Sequence, residues 1–263
     1  RRDHPARPVA RSRTCGLLNC RIMPDPPTSA SPITRVTEHV YAVDAGALYV
    51  YLMVLPEGLT LVEAGFPGTM DIVSVAVRHL GRWPEDITDV LVTHCHPDHA
   101  AGLAEIEKAT GARAWMHPAD AEMVRAGQGF RPYTVTPGLG NAAFTREVIA
   151  NTPPTMEPAR VRKDVDPGET IPVAGGIQAV GTPGHTLGHL AFLWPEDGGV
   201  LFVGDAASNV GGLQLSPIYE DLIVGRASLR ALAQLDFETA CFAHGAPIVG
   251  GADREFRRVW GGE

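Results

Sequence analysis

The sequence predicts an α/β fold in two halves, with sheets packed together and helices outside. Three observations carry this reading. From residue 36, short β-branched and apolar runs alternate with stretches of helical period. The same mixture resumes after residue 160. Apolar residues form 44% of the 263 residues, enough for one sizeable core, and no apolar run reaches the roughly 18 residues needed to span a bilayer.

Residues 1–32 stand apart. They hold six arginines against two aspartates, a net of +4, which leaves −12 on the remainder of a chain whose formal charge is −8. This Pro- and Arg-rich stretch lacks the apolar core of a secretory signal. It reads as a disordered basic extension, or as frame upstream of Met23, ahead of a domain over 33–263. The acidic remainder argues against nucleic-acid or anionic-membrane partners. The four cysteines make no disulfide framework at this length, so the expected compartment is the cytoplasm.

Within the domain, "VTEHVYAVDA", "LYVYLMVL" and "LTLVEAG" predict three strands split by turn residues. "TMDIVSVAVRHLG" predicts a helix ending at Gly81. "ITDVLVTH" is a buried strand, "HAAGLAEIEKATG" a helix and "ARAWMH" a strand. Residues 127–160 are dense in Pro and Gly and predict an irregular insertion with one short helix; loops of that length are usually functional. "ARVRKDVDPGETIPVAGGIQAVGTPGHT" gives short strands and tight turns. "HLAFLWPEDGGVLFVGDAA" gives a hairpin turning at 195–199, "GRASLRALAQLDFE" a helix, "TACFAHG" a strand and "ADREFRRVW" a terminal helix.

Chemistry concentrates where strands end. "VTHCHPDHAAG" places His94, His96, Asp98 and His99 within six residues of a buried strand. Residues i and i+2 of an extended segment share a side, so His94 and His96 can grip one ion while Cys95 faces away. Pro97 ends the extended run, and Asp98 and His99 start a helix facing a neighbouring point. His185 lies in a Gly-flanked turn, Asp205 ends the strand "LFVGDA", and His244 ends "CFAH". Imidazole is a frequent ligand for zinc, and carboxylates complete such sites. Taken alone, Asp205 has a helix N-cap as its alternative reading. His4, His39, His79 and His117 read as ordinary solvated or core histidines.

The ordered set HxHxDH (94–99), GHTxGH (184–189), GDA (204–206) and AHG (243–245) resembles the metallo-β-lactamase superfamily. That resemblance implies a four-layer αββα sandwich with metals at one edge between the halves. It implies His94, His96 and His185 on a first metal, Asp98, His99 and His244 on a second, and Asp205 bridging both. His189 would support rather than ligate. Glu63, where the superfamily usually has aspartate, would also support, by accepting from a metal-bound imidazole. Two Zn2+ are expected, with iron or manganese as substitutes.

The implied reaction is hydrolysis of a small ester, thioester or lactone by a metal-bridging hydroxide, with Asp98 orienting the nucleophile. Glyoxalase II-type thioesterases and lactonases resemble this chain in the bridging aspartate, which β-lactamases proper lack. Dedicated acyl-homoserine lactonases carry tyrosine three positions after it; here that position is Ser208. The small-molecule pocket is expected to be walled by 127–160 through Phe130, Tyr133 and Phe144, with Ser208 alongside. A weak or promiscuous β-lactamase is the second reading. A persulfide dioxygenase-like protein with one iron is the third, told apart by metal count. Oligomeric state is open, with a homodimer among the options.

Overall fold

The computed structural model describes residues 33–138 and 147–262; the basic stretch 1–32 and Phe144 lie outside them. Among the described residues, two large sheets and six helices build four layers. The first sheet runs in the order β1 (Ile33–Arg35), β2 (Val40–Asp44), β3 (Tyr49–Leu55), β4 (Gly58–Val62), β5 (Ile87–Leu91), β6 (Arg113–Met116) and β8 (Lys163–Asp164). The second runs β15 (Ile248–Val249), β14 (Thr239–Phe242), β12 (Val200–Gly204), β11 (Leu190–Trp194), β10 (Ile177–Gly181) and β9 (Thr170–Ile171). A third ladder of two short strands pairs β7 (Thr134–Val135) with β13 (Ile218–Tyr219).

The period of two along the strands sorts side chains into layers. In β3, Val50 and Leu52 face helices α1 (Thr69–His79), α3 (Leu103–Thr110) and α4 (Pro118–Arg125), whereas Tyr51 and Met53 face the second sheet. In β12, Val200 and Phe202 face the first sheet, and Leu201 and Val203 face α5 (Leu222–Leu232) and α6 (Ala252–Trp260). The inter-sheet layer is sealed by Tyr51, Phe192, Trp194 and Phe202, all at most 2% exposed. Fully burying one such side chain is worth about 1.5–3 kcal/mol. This is the αββα sandwich.

Two details depart from expectation. The helix after Pro97 is broken into α2 (Pro97–Ala100) and α3. The break falls at Gly102, whose N–H donates to Gly65 O at 2.7 Å and whose Cβ, if present, would lie 2.3 Å from Ala64 O. Close backbone approach there overrides helical continuity. Second, α5 begins at Leu222 rather than Gly225, because Asp221 caps it by accepting from the N–H groups of Ile223 and Val224. Within 127–160, the described residues hold β7 and one 3₁₀ turn, Ile149–Asn151.

Chain direction prepares the site. β4 and β5 run parallel, so the residues after both, Glu63 and Thr93–His99, leave one edge. β12 and β14 are also parallel and deliver Asp205 and His244 together. Hydrogen bonds from Leu190 N–H to Thr93 O, 3.0 Å, and from Tyr49 N–H to Ala243 O, 2.8 Å, join the two edges.

Candidate metal centre

The seven residues singled out as ligands converge. His94 Nε2 lies 3.0 Å from His96 Nδ1, and His185 Nε2 lies 2.9 Å from the same atom. Their protons can be assigned by elimination. Thr93 has one hydroxyl proton and gives it to Glu63 Oε1 at 2.6 Å, so His94 Nδ1–H must donate to Thr93 Oγ1 at 3.0 Å. His185 Nδ1 faces the carbonyl of Ile218 at 2.9 Å and must donate as well. Neutral His94 and His185 therefore both turn Nε2 lone pairs toward His96 Nδ1. One proton on His96 can satisfy only one of them, whereas a cation would satisfy all three.

The second group is Asp98, His99 and His244. Asp98 Oδ2 is 3.1 Å from His244 Nε2 and 3.5 Å from His99 Nε2. Asp205 stands between the groups. Its Oδ2 is 3.5 Å from His185 Nε2 and 3.6 Å from His244 Nε2, and its Oδ1 is 3.5 Å from His99 Nε2. Three sets of ligand atoms thus lie close enough to hold an ion: His94–His96–His185, His94–His99–Asp205 and Asp98–His99–His244. Among the described residues, both ring nitrogens of His99 and Oδ1 of Asp205 are buried without a hydrogen-bond partner. Such groups are costly unless something supplies the bond, and a metal fits the need.

Electrostatics divide the centre. Burial, then the neighbouring imidazoles, hold His94 well below the ordinary histidine range. Burial and His185 do the same to His96, and burial lowers His185 despite Asp205. These three are neutral and ready to ligate. Burial also opposes charge on His99 and His244, but carboxylates reverse it. Asp98, Glu63 and Asp205 lift His99 well above its usual value, and Asp205 and Asp98 push His244 up to about 9. Burial disfavours the Asp98 carboxylate, yet His99 and His244 hold it well below the usual carboxylate range. The second group calls for positive charge, which protons or a cation can supply.

The profile of the family described as the metallo-beta-lactamase superfamily matches residues 43–244. The chain belongs to the metallo-β-lactamase superfamily. It is similar to the protein YobT of Bacillus subtilis (strain 168), 28% identical over 168 residues, 63% of this chain and 64% of that one. It is similar to a hydroxyacylglutathione hydrolase of Rhodopseudomonas palustris (strain BisB18), 31% identical over 152 residues, 57% of this chain and 46% of that one. This chain spans about half the length of such curated hydrolases. Among solved structures, the MIM-2 metallo-β-lactamase is 25% identical, with a TM-score of 0.64 over 81% of this chain and 76% of that one.

Both ring nitrogens of His189 are engaged by protein groups. Its Nε2 accepts from Asp205 N–H at 3.0 Å, and its Nδ1 donates to Thr182 Oγ1 at 2.7 Å. Glu63, with φ +69°, approaches His99 Nδ1 to 3.3 Å besides accepting from Thr93. Phe130 stacks at a tilt on His96, centroids 4.7 Å apart, and Tyr133 packs on Phe130 at 6.1 Å. Ser208 is buried with its hydroxyl accepting from Val210 N–H at 3.3 Å, inside a turn closed by Gln214. His117 caps α4, accepting from Ala119 N–H.

Sequence reading missed three supports. Thr93 carries the Glu63–His94 link. Tyr219 sets its ring 5.7 Å from His185 and donates to Ala206 O. Asp120 is fully buried beneath both histidine loops. A Thr preceding an HxH run was the only visible signal; the others act across long sequence separations.

Proposed function

We propose that this chain is a binuclear metal-dependent hydrolase of small esters, thioesters or lactones. The observation that carries the reading is Asp205, whose two oxygens reach toward both histidine groups. A carboxylate so placed fits two adjacent ions. His94, His96 and His185 would hold one; Asp98, His99 and His244 would hold the other, and zinc matches this donor set. Bound there, such ions would supply an activated water near neutral pH and polarise a scissile carbonyl.

The chain's own residues supply the rest. Asp98, whose side chain is 25% exposed, is the most accessible carboxylate of the centre. It orients the attacking water and passes a proton to the leaving atom. Glu63 and His189 fix imidazole and backbone orientation from behind. Phe130 and Tyr133 form an apolar wall beside His96 for the acyl portion. The likeness to hydroxyacylglutathione hydrolases supports thioester chemistry. The likeness to MIM-2 keeps β-lactam hydrolysis as a second reading.

The test is elemental analysis combined with a screen of lactones, thioesters, aryl esters, phosphodiesters and β-lactams. Two zinc ions per chain with ester, thioester or lactone turnover supports the proposal. One iron per chain, or turnover confined to β-lactams, overturns it.

A further inference from the structure

One buried carboxylate outside the ligand set touches both loops that carry the first histidine group. Asp120, in the first turn of α4, is 0% exposed. Its Oδ2 accepts from Cys95 N–H at 3.1 Å, between His94 and His96. The same oxygen accepts from Thr186 Oγ1 at 2.6 Å, next to His185. Its Oδ1 accepts from Gly188 N–H at 3.1 Å and from Arg131 Nη1 at 2.9 Å. A Cβ on Gly188 would lie 2.7 Å from that oxygen, so glycine is what lets the loop close on the carboxylate.

Arg131 belongs to the irregular segment. Besides Asp120, its guanidinium donates to Glu220 Oε1 at 3.1 Å and to Ala119 O. Glu220 Oε2 in turn accepts from Leu187 N–H at 2.8 Å, in the same loop as His185. Three residues further along, β7 begins and pairs with β13, whose Ile218 carbonyl accepts from His185 Nδ1. Residues 130–136 are thus strapped to the first group at three places: Phe130 on His96, Arg131 on Asp120 and Glu220, and β7 on β13.

We propose that Asp120 and Arg131 are positioning residues that set the His94–His96–His185 trio, so that the start of the irregular segment controls the first metal and not only the substrate wall. The inference rests on the metal-centre reading above. Its specificity follows from the contacts. Asp120 and Arg131 bond to residues flanking His94, His96 and His185, whereas Asp98, His99 and His244 are held by other partners. One guanidinium donates to Asp120, Glu220 and Ala119 O at once, a spread of donors that one ammonium cannot reproduce in full, so Arg131→Lys should restore the Asp120 contact only in part.

The experiment compares Asp120→Asn, Arg131→Met and Arg131→Lys with the parent protein. Zinc is titrated by chelator competition, the visible absorption of the cobalt(II)-loaded proteins is recorded, and metal-free melting is followed. Arg131→Met leaves the buried carboxylate in place and guards against failure to fold. The expected result is a selective loss of roughly 10- to 100-fold in affinity for one of two ions, the scale of losses behind a ligand. The other ion stays, cobalt absorption changes for one ion, and Arg131→Lys falls between. Equal weakening of both ions would mean general loosening and overturn the proposal. So would unchanged affinities in Asp120→Asn and Arg131→Met. A parent protein that binds no zinc or cobalt would sink the metal-centre reading itself, a distinct failure.

Discussion

Replacing Thr93 with valine removes one hydroxyl from the middle of the Glu63–Thr93–His94 chain while nearly preserving shape. Thr93 is 0% exposed and Glu63 is 2% exposed. The hydroxyl donates to Glu63 Oε1 at 2.6 Å and accepts from His94 Nδ1 at 3.0 Å. A bond to a charged group is worth about 1.5–3 kcal/mol, and an orphaned buried N–H costs about 1–3 kcal/mol. If the two effects add, the metal-free protein should lose about 2.5–6 kcal/mol. At about 2–4 °C per kcal/mol for a domain of this size, melting should fall by about 5 °C or more. Without its acceptor, His94 can also flip tautomer and turn N–H toward the centre. Metal affinity should drop roughly 10- to 100-fold. The assay is chelator competition with melting curves, and Thr93→Ser, which keeps the hydroxyl, should stay near the parent. Parent-like metal affinity in Thr93→Val would refute the argument that this hydroxyl fixes the ligand.

Further outcomes follow from the same geometry. Glu63→Ala should weaken metal binding roughly 10- to 100-fold without unfolding the domain; unchanged affinity by chelator competition would return Glu63 to a turn role. Gly204→Ala should destabilise by about 1–3 kcal/mol, since φ is +55° and the added Cβ would lie 2.6 Å from Thr93 Oγ1 and 2.8 Å from His189 Nε2; a parent-like melting temperature would contradict it. The Asp197 hydrogen bond raises His39, and that of His39 contributes, against desolvation, to lowering Asp197. A raised histidine stabilises below its unfolded value near 6.5, and a lowered aspartate stabilises above its unfolded value near 3.9. The melting deficit of His39→Ala should therefore be largest at about pH 4–6.5 and shrink as pH rises through neutrality. A deficit that grows with pH would reverse the sign.

Much of the fold was legible because its signals are local. Val50, Tyr51, Leu52 and Met53 alternate at period two and sort into two core layers. The hairpin turn at 195–199 and the helix Ala252–Trp260 appear where pattern places them. The convergence of these side chains was legible because His94 and His96 stand two apart in the run that follows β5, and Asp205 and His244 follow apolar strands. What escaped was long-range. The pairing of β7 with β13 joins two-residue strands about 80 positions apart, too short for any periodicity. Asp120 lies in the first turn of a helix that the sequence pattern did not announce; its bonds to Cys95, Thr186 and Gly188 exist only in the folded chain. The break at Gly102 came from backbone crowding against residues 64–66.

A two-metal centre on the converging His and Asp side chains makes turnover depend on bound ions. The most direct measurement is metal content per chain alongside hydrolysis, before and after exhaustive chelation and again after adding zinc, in the parent and in His96→Ala. Two ions per chain are expected, with activity that vanishes on chelation and returns with zinc, and a His96→Ala protein that folds but loses metal and nearly all turnover. Full hydrolysis by thoroughly metal-free protein would contradict that dependence.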